Sequence, residues 1–168
     1  HGKRDELNNL AQASNTTLWN SEYGDGDGSG LSLASNLNLD FRWLHPTGWV
    51  YWQVLDGGGW GLIHADNDRR SIGTVSTKWF VLAHYSRHIR PGYVILESGA
   101  DGNTVSAYSA AARKLVLITT KYVSSGTVTY NLSNFASVQG PIVRWATLTS
   151  GKGDTYARYT DVSLEGAC

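Results

Sequence analysis

Residues 18–30, LWNSEYGDGDGSG, join an apolar run to a loop in which aspartate and glycine alternate. Residues 16–21 are rich in β-prone side chains and predict a short buried strand. The glycines that follow predict a tight turn, because glycine adopts positive φ angles that other residues avoid. The stretch therefore predicts a strand that ends in a polar loop, with Glu22 near the junction.

The sequence around this stretch alternates helical and β-prone segments. Helices are predicted at residues 3–13, 31–44 and 76–89, with a second buried strand at residues 49–54 and a loop at residues 56–61. A strand, a loop and a helix that repeat in this order predict parallel strands joined by crossovers, with the active site in the loops after the strands. Two strands alone leave unpaired edges, so we expect strands from missing sequence or from a partner chain beside them.

The second half of the sequence has a different pattern, with short β-prone runs separated by Gly, Asn and Ser. These runs lie at residues 93–97, 104–109, 115–121, 128–132, 142–148 and 156–162. Short strands at this spacing are typical of an antiparallel sandwich. The predicted fold class is therefore α/β plus all-β, with residues 1–92 and 93–168 as two domains.

The composition excludes several classes of partner. Fourteen Lys and Arg balance fourteen Asp and Glu, so no net charge attracts nucleic acid or an anionic membrane. No apolar run approaches the roughly 20 residues that span a membrane. The single cysteine, Cys168, leaves no internal disulfide and no cysteine-based zinc site. Seven Trp and nine Tyr suit a sugar-binding surface, although a core filled with aromatic side chains accounts for most of them equally well.

The Asp-Gly loop partly matches an EF-hand calcium loop. Asp25, Asp27, Ser29 and Gly30 fall on its positions 1, 3, 5 and 6. The twelfth position holds Asn36 in place of the bidentate glutamate, so the pattern favours a simple turn. We expect no metal and no cofactor.

Two other chemistries have little support. His84 and His88 are four residues apart on one predicted helical face, but no third ligand accompanies them, and they are interpreted as surface or core histidines. Ser21 lies in the context N-S-E, not in the G-x-S-x-G turn of a serine hydrolase.

Glu22 occupies a position that suits catalysis. A carboxylate on an apolar strand is costly to bury without partners, and the end of a barrel strand is where a nucleophile or an acid is placed. The alternative is a glutamate that points to solvent, and the pattern alone leaves both open. Retaining glycoside hydrolysis needs a second carboxylate about 5–5.5 Å away, and Glu6, Glu97 and Glu165 have no comparable context.

Four sequence runs resemble one family. They are LWNSEYGDGDGSG, LNLDFRWLHPTGWVYWQVLD, GGWGLI and STKWFVLAHYSRHIRPGY. Together they resemble the C-terminal part of fungal glycoside hydrolase family 30, and within it the endo-β-1,6-galactanases. The resemblance implies that residues 1–92 supply strands 7 and 8 of a (β/α)8 barrel with their helices. Residues 93–168 would then form a β-sandwich that lacks its last strand.

The resemblance also implies roles for individual residues. Glu22, in the context S-E-Y-G, matches the nucleophile of a retaining hydrolase, which attacks the anomeric carbon. Trp52 matches the aromatic residue beside the cleavage point, and His1, Tyr23 and Trp60 are implied as further sugar contacts. The implied substrate is β-1,6-linked galactan, as in arabinogalactan.

The family's acid/base glutamate belongs to an N-terminal region that this chain does not contain. We therefore expect a fragment of a secreted, extracellular enzyme that is inactive alone, because a general acid contributes typically 10²–10⁴-fold. The missing N-terminal part or a second copy would cover the open strand edges. Sequons at Asn15 and Asn131 are expected glycosylation sites. The alternative function is a non-catalytic carbohydrate-binding, lectin-like protein.

Overall fold

The computed structural model describes residues 2–97, 102–121, 126–150 and 152–164. The helices are α1 (Arg4–Ala13), α2 (Leu31–Leu39) and α3 (Thr77–Ser86), and a π-helical turn (Asp40–Leu44) continues α2. The strands are β1 (Trp19–Tyr23), β2 (Gly48–Tyr51), β3 (Leu55–Asp56), β4 (Ile63–Asp66), β5 (Ser71–Val75), β6 (Val94–Leu96), β7 (Thr104–Ser109), β8 (Lys114–Thr119), β9 (Arg144–Ala146) and β10 (Ala157–Tyr159). None of the helices in the described residues has the length and apolar character that a membrane span requires.

Strands β1 and β2 form a parallel pair, as the alternation of strand and helix predicts. Trp19 lies opposite Gly48, Tyr23 lies opposite Tyr51, and α2 with its π-helical turn forms the connection. Within the described ranges, no third strand joins this sheet. The prediction of a buried first strand is wrong, because three of the five residues in β1 are exposed.

The other strands form three small separate sheets. One has the order β3-β4-β5, one is the antiparallel meander β6-β7-β8, and β9 pairs with β10. Over the residues that the structure describes, none of these sheets closes into a barrel.

The hydrophobic core lies between α2, α3 and the meander β6-β7-β8. Its buried side chains are Leu33, Ala34, Leu37, Val81, Tyr85, Val105, Ala107, Val116 and Ile118. These residues come from both sides of residue 92, so the two predicted domains share a packed interior. The division at residue 92 itself stays a prediction.

Buried hydrogen bonds cross the same interface. The Tyr85 hydroxyl donates to Asn38 Oδ1 at 2.8 Å, and Asn38 Nδ2 donates to the Asn103 carbonyl at 3.3 Å and to Thr120 Oγ1 at 3.2 Å. Asn38 is 3% exposed, so its amide depends on these partners. The network fixes α2 and α3 against the meander.

Several predicted elements differ from the structure. The first strand lies at residues 19–23 and not at 16–21, and the second lies at residues 48–51 and not at 49–54. Strand β3 includes residue 56, the first residue of the segment predicted as a loop. Residues 128–132, predicted as a strand, are described and contain none. Strands β4 and β5 were missed, because every residue of β5 is exposed and the segment lacks the alternation that marks a half-buried strand.

His84 in α3 and His88 just after it contact residues next to the last two strands. His84 Nε2 lies 2.8 Å from Thr147 Oγ1, and His88 Nε2 lies 2.8 Å from the Tyr156 hydroxyl. The Tyr156 ring also packs against the Trp145 ring, at 4.6 Å between centroids. Burial lowers the pKa of His84 to about 4, with a smaller contribution from the charge of His88. Burial also lowers the pKa of His88.

These shifts predict that the fold loses stability as the pH falls from about 6.5 towards 4. In this pH range the unfolded chain binds a proton at His84, whereas the folded chain keeps His84 neutral. The folded state is therefore favoured fully above about pH 6.5, and this contribution to the free energy of unfolding is lost as the pH falls towards 4. The expected loss is on the order of 2–3 kcal/mol. Urea unfolding across this pH range measures it. His84→Gln should reduce the pH dependence, whereas His64→Gln, at an exposed site, should not. Equal pH dependence in all three proteins would contradict this assignment.

Candidate active site

Glu22 lies at an irregularity in β1. Asn20 lies opposite Trp49 and Tyr23 lies opposite Tyr51, so three steps along β1 match two steps along β2. The extra residue is a β-bulge, which interrupts the alternation of faces and leaves Glu22 exposed beside another exposed residue. Bulges are common next to active sites, where they re-aim a side chain.

The carboxylate of Glu22 is accessible to solvent. The residues before and after the bulge on β1, Asn20 and Tyr23, point into the protein, whereas Glu22 does not. Among the described residues, none forms a hydrogen bond or an ion pair with Glu22. An accessible carboxylate without structural partners is able to approach a substrate atom.

The loop after β1 is a series of turns closed by its own aspartates. Asp25 Oδ1 accepts the Asp27 N–H at 2.7 Å, and Asp27 accepts the N–H groups of Ser29 and Ser32, both at 2.9 Å. Burial alone would raise the pKa of Asp27, but hydrogen bonds from Ser29 and Ser32 lower it to about 2. Over the residues that the structure describes, no three His, Cys, Asp or Glu side chains group as a metal site would require.

A buried lysine joins this loop to the end of β2 and to the loop after β3. Lys78, near the start of α3, is 0% exposed. Its Nζ donates to the Asp25 carbonyl at 2.6 Å, to Asp25 Oδ1 at 2.8 Å, to the Tyr51 hydroxyl at 2.7 Å and to the Gly59 carbonyl at 2.9 Å. The sequence pattern did not single out Lys78, because a lysine at the start of a helix usually points to solvent. The one local indication that Lys78 is buried was its position directly before the apolar run WFVLA at residues 79–83.

The two loops pack backbone against backbone, and this explains their glycines. A Cβ atom on Gly24 would lie 2.5 Å from the Trp52 carbonyl oxygen, and one on Gly59 would collide with the Gly26 carbonyl oxygen. Gly59 also has a φ of +83°, which side chains disfavour. The close packing of the two loops therefore requires glycine at positions 24 and 59.

Two tryptophans lie exposed at the same end of the strand pair as Glu22. Trp52 is 48% exposed and Trp60 is 44% exposed. The Trp52 N–H donates to the Tyr23 carbonyl at 2.7 Å, which joins the ends of the two strands, and the Trp52–Gln53 peptide is cis. The rings offer apolar surface of the kind that stacks on sugars.

The other predicted contacts are placed differently. The Tyr23 ring points inward and packs on Trp49 and Tyr51, at centroid distances of 5.5 and 6.3 Å. Burial, and next the neighbouring Asp25, raise the pKa of Tyr23. His1 lies outside the described residues.

The two sequon asparagines, Asn15 and Asn131, are both exposed. The Asn131 side chain accepts the N–H of Ser133 at 3.0 Å. Glycosylation of these two residues stays a prediction.

Comparison with known proteins confirms the resemblance found in the sequence. Over 166 residues the chain is 51% identical to an endo-β-1,6-galactanase from Hypocrea rufa. The chain resembles a galactanase. The aligned part is 97% of this chain, and the chain spans about a third of the galactanase, 34% of its length. No protein-family model matches the sequence.

Two solved structures share the fold of the chain. A glycoside hydrolase family 30 subfamily 8 xylanase from Clostridium acetobutylicum superposes on 95% of the chain with a TM-score of 0.66 and 19% identity, using 40% of its own length. A conserved exported protein from Bacteroides fragilis matches 62% of the chain at a TM-score of 0.50 and 19% identity, with 29% of its own length covered. At these identities the likeness concerns the fold and not the substrate.

Proposed function

We propose that this chain is the nucleophile-bearing part of a secreted retaining glycoside hydrolase that cleaves β-1,6-linked galactan, such as the side chains of arabinogalactan. The observation that carries the proposal is the 51% identity to an endo-β-1,6-galactanase across 97% of the chain. The exposed position of Glu22 at the β-bulge supports the same function.

In this proposal β1 and β2 are the last two strands of a (β/α)8 barrel, and the meander β6-β7-β8 belongs to a β-sandwich beside it. The remaining strands come from the rest of the enzyme and pair with the free edges of β1 and β2. Parallel sheets are normally covered on both faces, which fits the exposed side chains of Trp19, Val50 and Trp52.

The mechanism assigned to Glu22 is nucleophilic. Its carboxylate attacks the anomeric carbon of the sugar, the glycosidic bond breaks, and a glycosyl-enzyme forms that water then hydrolyses. A carboxylic acid from the rest of the enzyme protonates the leaving oxygen, so this chain alone is expected to be inactive. Trp52 and Trp60 bind the sugar rings by stacking, with His1 as a further contact. Tyr23, whose ring packs on Trp49 and Tyr51, supports the strand ends from the inside.

A hybrid enzyme tests this function. In the hybrid, this chain replaces the matching third of the Hypocrea rufa galactanase. We expect the hybrid to release reducing sugar from β-1,6-galactan, with little release from β-1,6-glucan and glucuronoxylan. The isolated chain, after its mass has been confirmed to be that of these 168 residues, should release no reducing sugar. A folded hybrid that releases no sugar would refute the proposal, and oligosaccharide binding by the isolated chain would then favour the lectin-like alternative.

A further inference from the structure

Two buried ion pairs fasten the strand pair β1 and β2, one at each end. Arg4 Nε lies 2.5 Å from Asp40 Oδ1, near the end where the strands begin. Lys78 Nζ lies 2.8 Å from Asp25 Oδ1, at the end where the strands lead into the loops. The two pairs have similar chemistry but hold different parts of the fold.

The lysine pair is a crosslink between loops. An ammonium group has three N–H donors, and four oxygens lie within 2.9 Å of Lys78 Nζ. Two of these oxygens belong to Asp25, in the loop after β1. The other two belong to Tyr51, at the end of β2, and to Gly59, in the loop after β3. One side chain from a helix therefore fixes both loops.

The crosslink continues to the exposed tryptophan of the second loop. The Tyr51 hydroxyl accepts a hydrogen bond from Lys78 and donates one to the Trp60 carbonyl at 2.6 Å. On the other side, Asp25 is three residues beyond Glu22. The chain of contacts therefore links the segment that carries Glu22 to the segment that carries Trp60.

We propose that Lys78 is a positioning residue that holds these two loops at a fixed separation, so that Glu22 and Trp60 meet the same sugar chain in register. The catalytic part of this inference rests on the proposed function of Glu22. Reaction rates depend steeply on such placement, because misplacement by about 1 Å can cost 10²-fold. No other lysine or arginine among the described residues is fully buried.

The buried carboxylate of Asp25 depends on Lys78. Asp25 Oδ2 is buried and has no hydrogen-bond partner in the described part of the chain, so the carboxylate depends on Lys78 for its neutralisation. Removal of the ammonium group would leave a buried unpaired charge, which drives the Asp25 loop towards solvent.

Hydrogen exchange in the hybrid enzyme tests the crosslink. In Lys78→Met we expect backbone amides of residues 24–30 and 57–62 to exchange at least tenfold faster, because both loops lose their common anchor. Arg4→Met is the matched control, since it removes the other buried ion pair and should leave exchange in these loops unchanged. Asp25→Asn keeps the two carbonyl contacts of Lys78 and should give a smaller change in the same direction. If Lys78→Met does not fold, this milder variant decides the question.

Kinetics of the same variants test the catalytic role. Lys78→Met should lower kcat on β-1,6-galactan at least tenfold and raise KM, whereas Arg4→Met should stay within threefold of the parent in both, even at an equal loss of Tm. Unchanged exchange in the loops, or an equal loss of kcat in the two variants, would overturn the positioning role. If the parent hybrid is inactive but Lys78→Met releases both loops, the crosslink stands and the proposed function fails.

Discussion

The hybrid enzyme with Glu22→Gln is expected to lose hydrolysis of β-1,6-galactan by on the order of 10⁴-fold or more while it folds normally. Glutamine has nearly the same shape as glutamate but is not a nucleophile, so the glycosyl-enzyme does not form. Glu22 is exposed and has no partner among the described residues, so the substitution should change Tm very little. Release of reducing sugar and thermal unfolding measure the two effects.

A matched variant and a rescue experiment sharpen this result. Glu97→Gln removes another exposed glutamate and should leave activity intact. In Glu22→Gly, added azide should enter the space of the carboxylate, attack the anomeric carbon of an activated galactoside and expel its leaving group. The product would be a glycosyl azide of inverted configuration. Full activity in Glu22→Gln would refute the nucleophile assignment, and failure of azide rescue would favour a different role for the residue.

The alternation of strands and helices was readable from the sequence because it depends on local patterns. Residues 3–13 predicted a helix, and α1 forms at Arg4–Ala13. The parallel pairing of β1 and β2 followed from their connection through a helix. The hairpin of β4 and β5 could not be found in this way, because every residue of β5 is exposed and the strand therefore lacks an alternating pattern.

Only part of the candidate site could be predicted from the sequence, because some of its residues act through contacts between distant segments. Glu22 and the two tryptophans stand in recognisable local contexts, whereas the role of Lys78 depends on three segments that meet in space. Lys78 is 53 residues from Asp25 in sequence, and nothing local shows that their charges will pair. Gly59 looked like an ordinary turn residue, although its contact with the Gly26 carbonyl leaves no room for a side chain.

Asp40→Ala is expected to destabilise the fold by about 3–5 kcal/mol, because it breaks a buried ion pair. Asp40 is 2% exposed and accepts hydrogen bonds from three elements. Arg4 of α1 donates to Oδ1, whereas Asn20 of β1 and Trp49 of β2 donate to Oδ2 at 2.7 and 2.8 Å. Removal of the carboxylate takes the counter-charge from the partly buried Arg4 guanidinium, which keeps its contact with Asn36 Oδ1, and takes the acceptor from the Asn20 and Trp49 side chains.

The exposed pair of Arg144 and Asp161 provides the control for Asp40. Its side chains are 42% and 53% exposed, and Asp161→Ala makes the same change in charge with an expected cost of at most about 1 kcal/mol. Urea unfolding of both variants in the hybrid compares them directly, and equal losses would contradict the structural role of Asp40. Activity gives a second distinction. Asp40 contacts the beginning of the strands and Glu22 lies near their end, so folded Asp40→Ala should keep its kcat. The proposed barrel would separate stability from catalysis in the same way, since (β/α)8 barrels carry their chemistry at the carboxyl ends of the strands.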